Sequence, residues 1–369
     1  LTSLLQSLRP VPGALARELK VMRLQGPVAR EALIAILSVI VAVAIATMLQ
    51  LDDLSWAAFS GFMVLGSGAA RSLPRGVMRI AGTVAGATVG RVLAPAIASS
   101  PLLLVLALFT VSWIGTFRAL ASPHPYAWLF FGLTAGLVMT EALAAPTDTL
   151  HFAGTRIAEV VVGTVSCWAV AMLFAEWAPP AARTPVPPIP AFLSADWLAT
   201  YRPLLAHSSR AALAVALLPL LWREFGISDF SQTAVTSYVV MIVPVAVVRG
   251  RQHDKLYERM AHRIAGCLLG SALAIATLGL FGDDLPAQLV VISLGIWVGY
   301  HVQAGHEGIN YVGTQFVLGL LITLVQGPGP VISVVPGLER LYGVVIGSAA
   351  LLLLNLVWPL PAQDPSTSG

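Results

Sequence analysis

Charged side chains are scarce in this chain, and several that interrupt apolar stretches stand in one recurring phrase. "RIAGTVAG" runs from Arg79, "RIAEVVVG" from Arg156, "RIAGCLLG" from Arg263 and "RLYGVVIG" from Arg340, each setting an arginine seven residues before a glycine. A guanidinium keeps its charge and offers a rigid fork of donors that matches a carboxylate, so arginines held inside apolar protein suit the attraction of an anion. Arg156 and Arg340 occupy matching places at span ends where the chain's overall charge bias would not put them. Arg91 stands twelve residues beyond Arg79, about 18 Å along a helix axis. Arg223 lies deep in another apolar stretch, beyond Arg210 and Pro219, in a span that is short and proline-interrupted. Arg91, Arg156, Arg223 and Arg340 are therefore the candidate anion-binding cations. Glu159, one turn from Arg156, and Glu224, next to Arg223, are the candidate proton carriers.

Plainer readings stand beside these. Glu159 makes an intrahelical pair with Arg156, Arg223 and Glu224 pair at a frayed end, and Arg91 reaches outward to headgroups. Arg79 and Arg263 obey the cytoplasmic charge bias and are read as snorkelling. Trp113 and Trp297 occupy matching positions, where they either stack on an aromatic ligand or pack in lipid and core.

The elements that must hold these groups are set by composition: 57% of residues are hydrophobic and 11% charged, against about 25% charge in soluble domains. A span needs roughly 20 apolar residues. Twelve such stretches are found, near 31–49, 54–70, 79–98, 101–118, 126–143, 155–175, 211–227, 231–248, 260–281, 285–303, 310–326 and 340–358. Lipid leaves helices and closed barrels as spanning structures, and these runs are too long and too uniformly apolar for barrel strands. The expected fold is an all-α membrane protein with twelve transmembrane helices.

Cations flank alternate loops: Arg9, Arg17, Lys20, Arg23 and Arg30 before the first span, Arg71 and Arg75 after the second, Arg249, Arg251, Lys255 and Arg259 after the eighth. Acids fill the others, with Asp52, Asp53, Asp148, Asp229, Asp283 and Asp284. This bias places both termini in the cytoplasm and accounts for the net charge of +3 without a nucleic-acid partner. Residues 1–30 form an amphipathic, interfacial segment with no apolar core of the kind a cleavable leader carries. Residues 31–177 make the first six-helix unit, 178–209 a proline-rich cytoplasmic linker, 210–358 the second unit and 359–369 a tail. Cys167 and Cys267 fall inside spans, where packing is the default role.

The two units are copies. Arg79 to Arg263, Arg156 to Arg340, Trp113 to Trp297 and Gly115 to Gly299 all span 184 residues. Six spans per unit is even, so the copies run parallel, related by an axis along the membrane normal. Arg79 to Arg156 and Arg263 to Arg340 both span 77 residues, with three spans between, and an odd number inverts a copy. Each unit thus reads as a 3+3 inverted repeat. Gly82 with Gly86, Gly266 with Gly270 and Gly343 with Gly347 make small-xxx-small faces for close helix packing. Glu159 takes the first of those glycine positions in the sixth span.

His301 and His306 are five apart, a poor ligand spacing on a helix, and no metal or other cofactor is expected. HExxH, GxSxG and phosphate-loop signatures are absent, so no enzyme is expected, and energy for transport must come from an ion gradient or the substrate's own.

The stretches "REALIAILSVIVAVAIATML", "SWAAFSGFMVLGSG", "RIAGTVAGATVG" and "RIAEVVVGTV" resemble the fusaric acid resistance (FUSC), or aromatic acid exporter, family over nearly the whole chain. The resemblance implies export of aromatic or other hydrophobic carboxylic acids from the bacterial inner membrane, often with a periplasmic adaptor and an outer-membrane channel. The chain is similar, more distantly, to plant aluminium-activated malate channels, in which two six-helix units enclose an anion path. Larger members carry a sizeable cytoplasmic domain after each half. Here "APPAARTPVPPIPAFLSADWLATYRPLLAHSS" alone separates the halves, and a compact form is expected.

The leading expectation is a secondary exporter of organic anions, coupled to protons through Glu224 or Glu159, with a path between the halves. Arg91, Arg156, Arg223 and Arg340 would lend the path positive potential. The alternatives are a passive anion channel and a non-transporting envelope scaffold. With both units in one chain, a monomer could be complete.

Overall fold

The computed structural model describes residues 2–65, 72–98, 100–145, 147–174, 194–219, 230–242, 247–248, 253–327 and 329–358. Regular structure among the described residues is helical: α1 (Thr2–Leu8), α2 (Val11–Val21), α3 (Pro27–Met48), α4 (Leu54–Leu65), α5 (Ser72–Ala98), α6 (Pro101–Ala121) and α7 (Pro125–Ala144). They are followed by α8 (Thr149–Phe174), α9 (Ala195–Ala216), α10 (Phe230–Met241), α11 (His253–Phe281), α12 (Leu285–Ala304), α13 (Asn310–Leu324) and α14 (Val335–Val357). Each expected stretch overlaps one helix from α3 to α14, although α9 reaches only residues 211–216 of the stretch near 211–227. Seven of these, α3, α5, α6, α8, α11, α12 and α14, are long and apolar enough to cross a membrane, while α4 and α13 are apolar but shorter.

Local chemistry sets the starts. Proline in the first turn opens α3, α6, α7, α12 and α14, where its missing N–H costs nothing. Ser100 Oγ accepts from the Leu103 N–H at 3.4 Å ahead of α6, and Asp284 Oδ1 accepts from the Ala287 N–H at 3.1 Å ahead of α12.

Polarity runs opposite to that of a water-soluble bundle. Val92 (71% exposed), Met172 (73%) and Leu353 (62%) face outward, whereas Arg79 (0%), Arg263 (2%) and Arg340 (3%) are shut inside. Such an apolar outer wall is at ease in hydrocarbon and would be costly in water.

Within the first half α5 packs on α7 and α8, α4 on α8, α6 on α7, and α3 on both α4 and α8. Within the second, α11 packs on α13 and α14, α10 on α14, α12 on α13, and α9 on both α10 and α14. Between halves, α6 meets α9 and α3 meets α12, while α7 touches α10 and α4 touches α13. One apolar core crosses this boundary, joining Ile34, Phe62 and Val170 to Ile292, Tyr300, Val317 and Leu321. Tyr300 also donates its hydroxyl hydrogen to Glu31 Oε2 at 2.8 Å, tying α12 to α3.

Glycine makes the closest crossings. A Cβ on Gly82 would strike the Ala127 carbonyl oxygen, and one on Gly86 the Phe131 carbonyl oxygen. In the other half a Cβ on Gly266 would come within 2.5 Å of the Val312 carbonyl oxygen, and one on Gly270 would strike that of Phe316. Gly163 meets Ala57 and Ser60, as Gly347 meets Thr233 and Thr236. Backbones therefore approach to contact at α5–α7, α11–α13, α4–α8 and α10–α14.

Two segments differ in detail from expectation. α9 begins at Ala195, inside the 178–209 stretch read as linker. Ser194 Oγ caps it by accepting the Trp197 N–H at 3.1 Å, and Trp197, Leu204 and His207 are buried. The prolines upstream, and Pro203 within the helix, mask that apolar face in the sequence. In the segment 1–30, α2 turns Val11, Ala14 and Glu18 not to lipid but to protein, against Val302, Ile309 and Val312. Glu18 Oε1 accepts the Glu307 N–H at 2.6 Å, and Arg17 Nε donates to Glu307 Oε2 at 2.8 Å.

Candidate functional site

Arg79 points from α5 into the bundle, although the sequence reading has it snorkelling. The close α5–α7 crossing at Gly82 brings Tyr126 and Phe130 onto it: Nη1 donates to Tyr126 Oη at 3.3 Å, and Cζ lies 4.0 Å from the Phe130 ring centroid. Nε donates to Ser60 Oγ on α4 at 3.0 Å. A guanidinium satisfied by a ring face and neutral oxygens has no need to reach a headgroup, which corrects the snorkelling reading.

Arg263 repeats the arrangement, and the same correction applies. Its Nη1 donates to Tyr311 Oη at 3.2 Å and to Gln315 Oε1 at 3.0 Å, both on α13. Its Nε and Nη2 donate to Thr236 Oγ1 on α10 at 3.3 and 3.2 Å. One turn earlier, Arg75 lies 4.7 Å over the Tyr126 ring and Arg259 lies 4.3 Å over the Tyr311 ring. In each half one tyrosine is thus held between two arginines four residues apart.

Arg156 and Arg340 are buried as well. Arg156 Cζ sits 4.2 Å from the Trp56 ring centroid and 4.9 Å from that of Phe152. Its Nη1 is 3.1 Å from Glu159 Oε2 and 3.6 Å from Asp53 Oδ2. Glu159, 1% exposed, also accepts the Asp53 N–H on Oε1 at 3.0 Å. Asp53 Oδ1 in turn accepts from the Ser55 N–H and hydroxyl at 3.1 and 2.6 Å, capping α4. The carboxylates therefore fasten α8 to the start of α4. Arg340 Nη2 donates to Gln315 Oε1 at 3.2 Å, the oxygen that also takes Arg263, and Cys267 Sγ lies 3.5 Å from it.

The remaining expected site residues are placed as follows. Arg91 is half-buried on α5, its Nε shielded from solvent without a hydrogen-bond acceptor among the described residues. Trp113 stacks on Phe117 with centroids 5.5 Å apart and donates to Ser209 Oγ at 3.1 Å, where α6 meets α9. Trp297 packs against the core shared by α3 and α12, its ring 5.0 Å from that of His301. Arg223 and Glu224 lie outside the described residues. Among the described residues no group of three or more His, Cys, Asp or Glu side chains is placed to hold a metal.

The structure brings Arg156 to Glu159 and Arg340 to Gln315, and adds Arg79, Arg263, Ser60, Thr236, Tyr126 and Tyr311. What this arrangement can do is hold positive charge in a water-poor interior, with ring faces, neutral oxygens and, at Arg156, carboxylates among the partners. Electrostatic attraction there is less screened than at a surface.

A family profile described as "Fusaric acid resistance protein-like" matches residues 41–171 and 225–354, well over half of the chain and once in each half. The chain is similar to "Inner membrane protein YeeA" of Escherichia coli (strain K12), 28% identical over 155 residues, or 42% of this chain and 41% of that protein. The match thus spans about two fifths of that relative's length. No solved structure matches the chain.

Proposed function

We propose, from the premise that the chain belongs to the fusaric acid resistance protein-like family, that it is a secondary transporter of the bacterial inner membrane exporting organic anions, aromatic carboxylic acids foremost, at the expense of a proton gradient. The observation that carries this reading is the burial of Arg79, Arg156, Arg263 and Arg340, at 0–6% exposure, inside a bundle whose outer wall is apolar. A charge in such a place is costly unless it serves a charged guest or a structural partner. An apolar interior with a few cations suits a ring that bears a carboxylate. The inner-membrane location is taken from the relative's name together with the seven membrane-length helices.

The bundle is read as two parallel six-helix repeats about an axis along the membrane normal. The matched crossings of α5–α7 with α11–α13, and of α6–α9 with α12–α3, support that reading. Both termini would be cytoplasmic. Glu159 and Glu224 remain the proton-carrying candidates, and an adaptor with an outer-membrane channel the partner class. Closure of the arginines to solvent favours a gated carrier over an open pore.

Proteoliposomes containing the purified protein test the reading with radiolabelled benzoate. Accumulation against its gradient when a pH difference is imposed, lost on collapse with an uncoupler, is the expected result. Conductance without accumulation would replace the carrier with a channel, and no movement at all would refute transport of this class.

A further inference from the structure

Where the α3–α4 loop meets the first turns of α8, titratable side chains form a series that runs from solvent to the buried Glu159. At the surface His151 Nε2 lies 2.8 Å from Asp52 Oδ2, the two side chains being 71% and 57% exposed. Next in the sequence is Asp53, 39% exposed at its side chain, and its Oδ2 is 3.6 Å from Arg156 Nη1. Glu159, 1% exposed, sets Oε2 3.1 Å from that same nitrogen. The other oxygen of each carboxylate is held by backbone: Asp53 Oδ1 accepts the Ser55 N–H, and Glu159 Oε1 accepts the Asp53 N–H. Both remaining oxygens therefore face one guanidinium, whose Cζ lies 4.2 and 4.9 Å from the Trp56 and Phe152 ring centroids. One cation between two carboxylates leaves a surplus negative charge, and like charges so close favour uptake of a single proton by the pair. Asp52 acts electrostatically on Glu159 as well, and Glu141 on α7 and Asp148 ahead of α8 stand in the same neighbourhood and add to the surplus.

We propose that protons reach Glu159 from the outer face through Asp53, with the His151 and Asp52 side chains as the surface groups that collect them. This rests on the proton-coupled reading above and specifies its route. A proton taken from water by the His151–Asp52 pair passes to the neighbouring Asp53 Oδ2. It then crosses to Glu159 Oε2, which leaves Asp53 anionic and ready for the next. Arg156 makes that last transfer short, because it gathers the donor and acceptor oxygens on one nitrogen. Negative charge concentrated at the mouth raises the local proton concentration. The outer placement follows from α3, which carries Arg30 near its start, while Asp52 and Asp53 lie beyond its end.

Right-side-out membrane vesicles loaded with radiolabelled benzoate, with vesicles lacking the protein as the blank, separate this route from a merely structural role. Net efflux driven by an imposed pH difference needs the proton, whereas exchange of internal for external benzoate does not. Asp53→Asn removes the titrating carboxyl but keeps an oxygen for the Ser55 N–H, so the start of α4 stays capped. It is expected to cut net efflux about a hundredfold and exchange far less, and Asp53→Glu is expected to retain efflux. His151→Gln combined with Asp52→Asn, both at exposed positions, is expected to displace the dependence of efflux on external pH and not that on internal pH. If Asp53→Asn fails to fold, this double variant decides. Full net efflux in Asp53→Asn, equal loss of efflux and exchange, or an external pH profile unmoved in the double variant would overturn the route while leaving proton-coupled transport standing. Wild-type vesicles in which a pH difference drives no efflux would overturn the coupling on which the route rests.

Discussion

Replacing Arg156 by leucine removes the cation from a site where Glu159 is 1% exposed and its Oε2 lies 3.1 Å from Nη1. At an effective dielectric constant near 20, opposite unit charges at that distance attract by about 5 kcal/mol before desolvation is counted. Most of that attraction is offset by the cost of burying the ions, so the pair's net worth is far smaller. Stranding Glu159, however, leaves a buried charge uncompensated, and the expected loss is about 3 kcal/mol. Glu159→Gln is milder. The amide oxygen can still accept the Asp53 N–H, and Asp53, 3.6 Å from the guanidinium, still faces the cation, so about 1 to 2 kcal/mol is expected. The double variant Arg156→Leu with Glu159→Gln should cost less than the sum of the two, with a coupling of at least about 1 kcal/mol. Equilibrium unfolding in mixed micelles titrated with denaturing detergent measures all three. Singles within about 0.5 kcal/mol of wild type that add without coupling would show that the two side chains do not meet inside the bundle.

Gly82→Leu and Gly270→Leu drive a side chain into the carbonyl oxygens of Ala127 and Phe316, and each should abolish recovery of folded protein in detergent-solubilised membranes. Gly136→Ala and Gly279→Ala meet nothing within 4 Å, so unfolding midpoints at or slightly above wild type are expected. Tyr126→Phe removes the acceptor 3.3 Å from Arg79 Nη1 and should cost about 1 to 2 kcal/mol in the same unfolding assay. Outside the spans, the Arg17 hydrogen bond holds the Glu307 carboxyl below its ordinary value of 4.5. The stabilisation from this pair is present above that value and is lost as pH falls through the lowered one. Arg17→Gln should return the Glu307 titration towards 4.5, as followed by carboxyl carbon shifts, and loosen α2 in hydrogen exchange at neutral pH.

Much of the scaffold is legible in the sequence because lipid makes the rule simple: long apolar runs become helices, and each expected stretch overlaps one, with α9 the poorest match. The interior is less legible. Reading Arg79 and Arg263 as snorkelling follows from their position at span ends, but it ignores what the neighbouring helices offer. A search at a constant offset of 184 finds the arginines and glycines and misses their partners. Ser60 and Thr236 are 176 residues apart, whereas Tyr126 and Tyr311, like Phe130 and Gln315, are 185 apart, because the connecting segments differ in length between halves. The clasp of Tyr126 between Arg75 and Arg79 has a sequence signal, since Arg259 and Arg263 repeat the four-residue spacing at the same offset. Trp113 and Trp297 also share the offset, yet they pack where the halves meet, at α6–α9 and near α3.

The family profile matches once in each half, and the matching arginines let one half be compared with the other. The arginines, the tyrosine beneath each pair and the glycines at each crossing recur, so these define the geometry that brings cations inward. The residues that set net charge around them do not recur, as Phe130 against Gln315 and Glu159 against Gly343 make plain. The cations of the two halves are satisfied by different means: Arg79 lies against Phe130 and Arg156 against Trp56 and Glu159, whereas Arg263 and Arg340 both donate to the Gln315 amide oxygen and Arg263 also to Tyr311 and Thr236. A buried cation is least costly when it is partnered, so the inward placement of the guanidinium groups is what both halves keep, and the chemistry that satisfies each one is where they diverge.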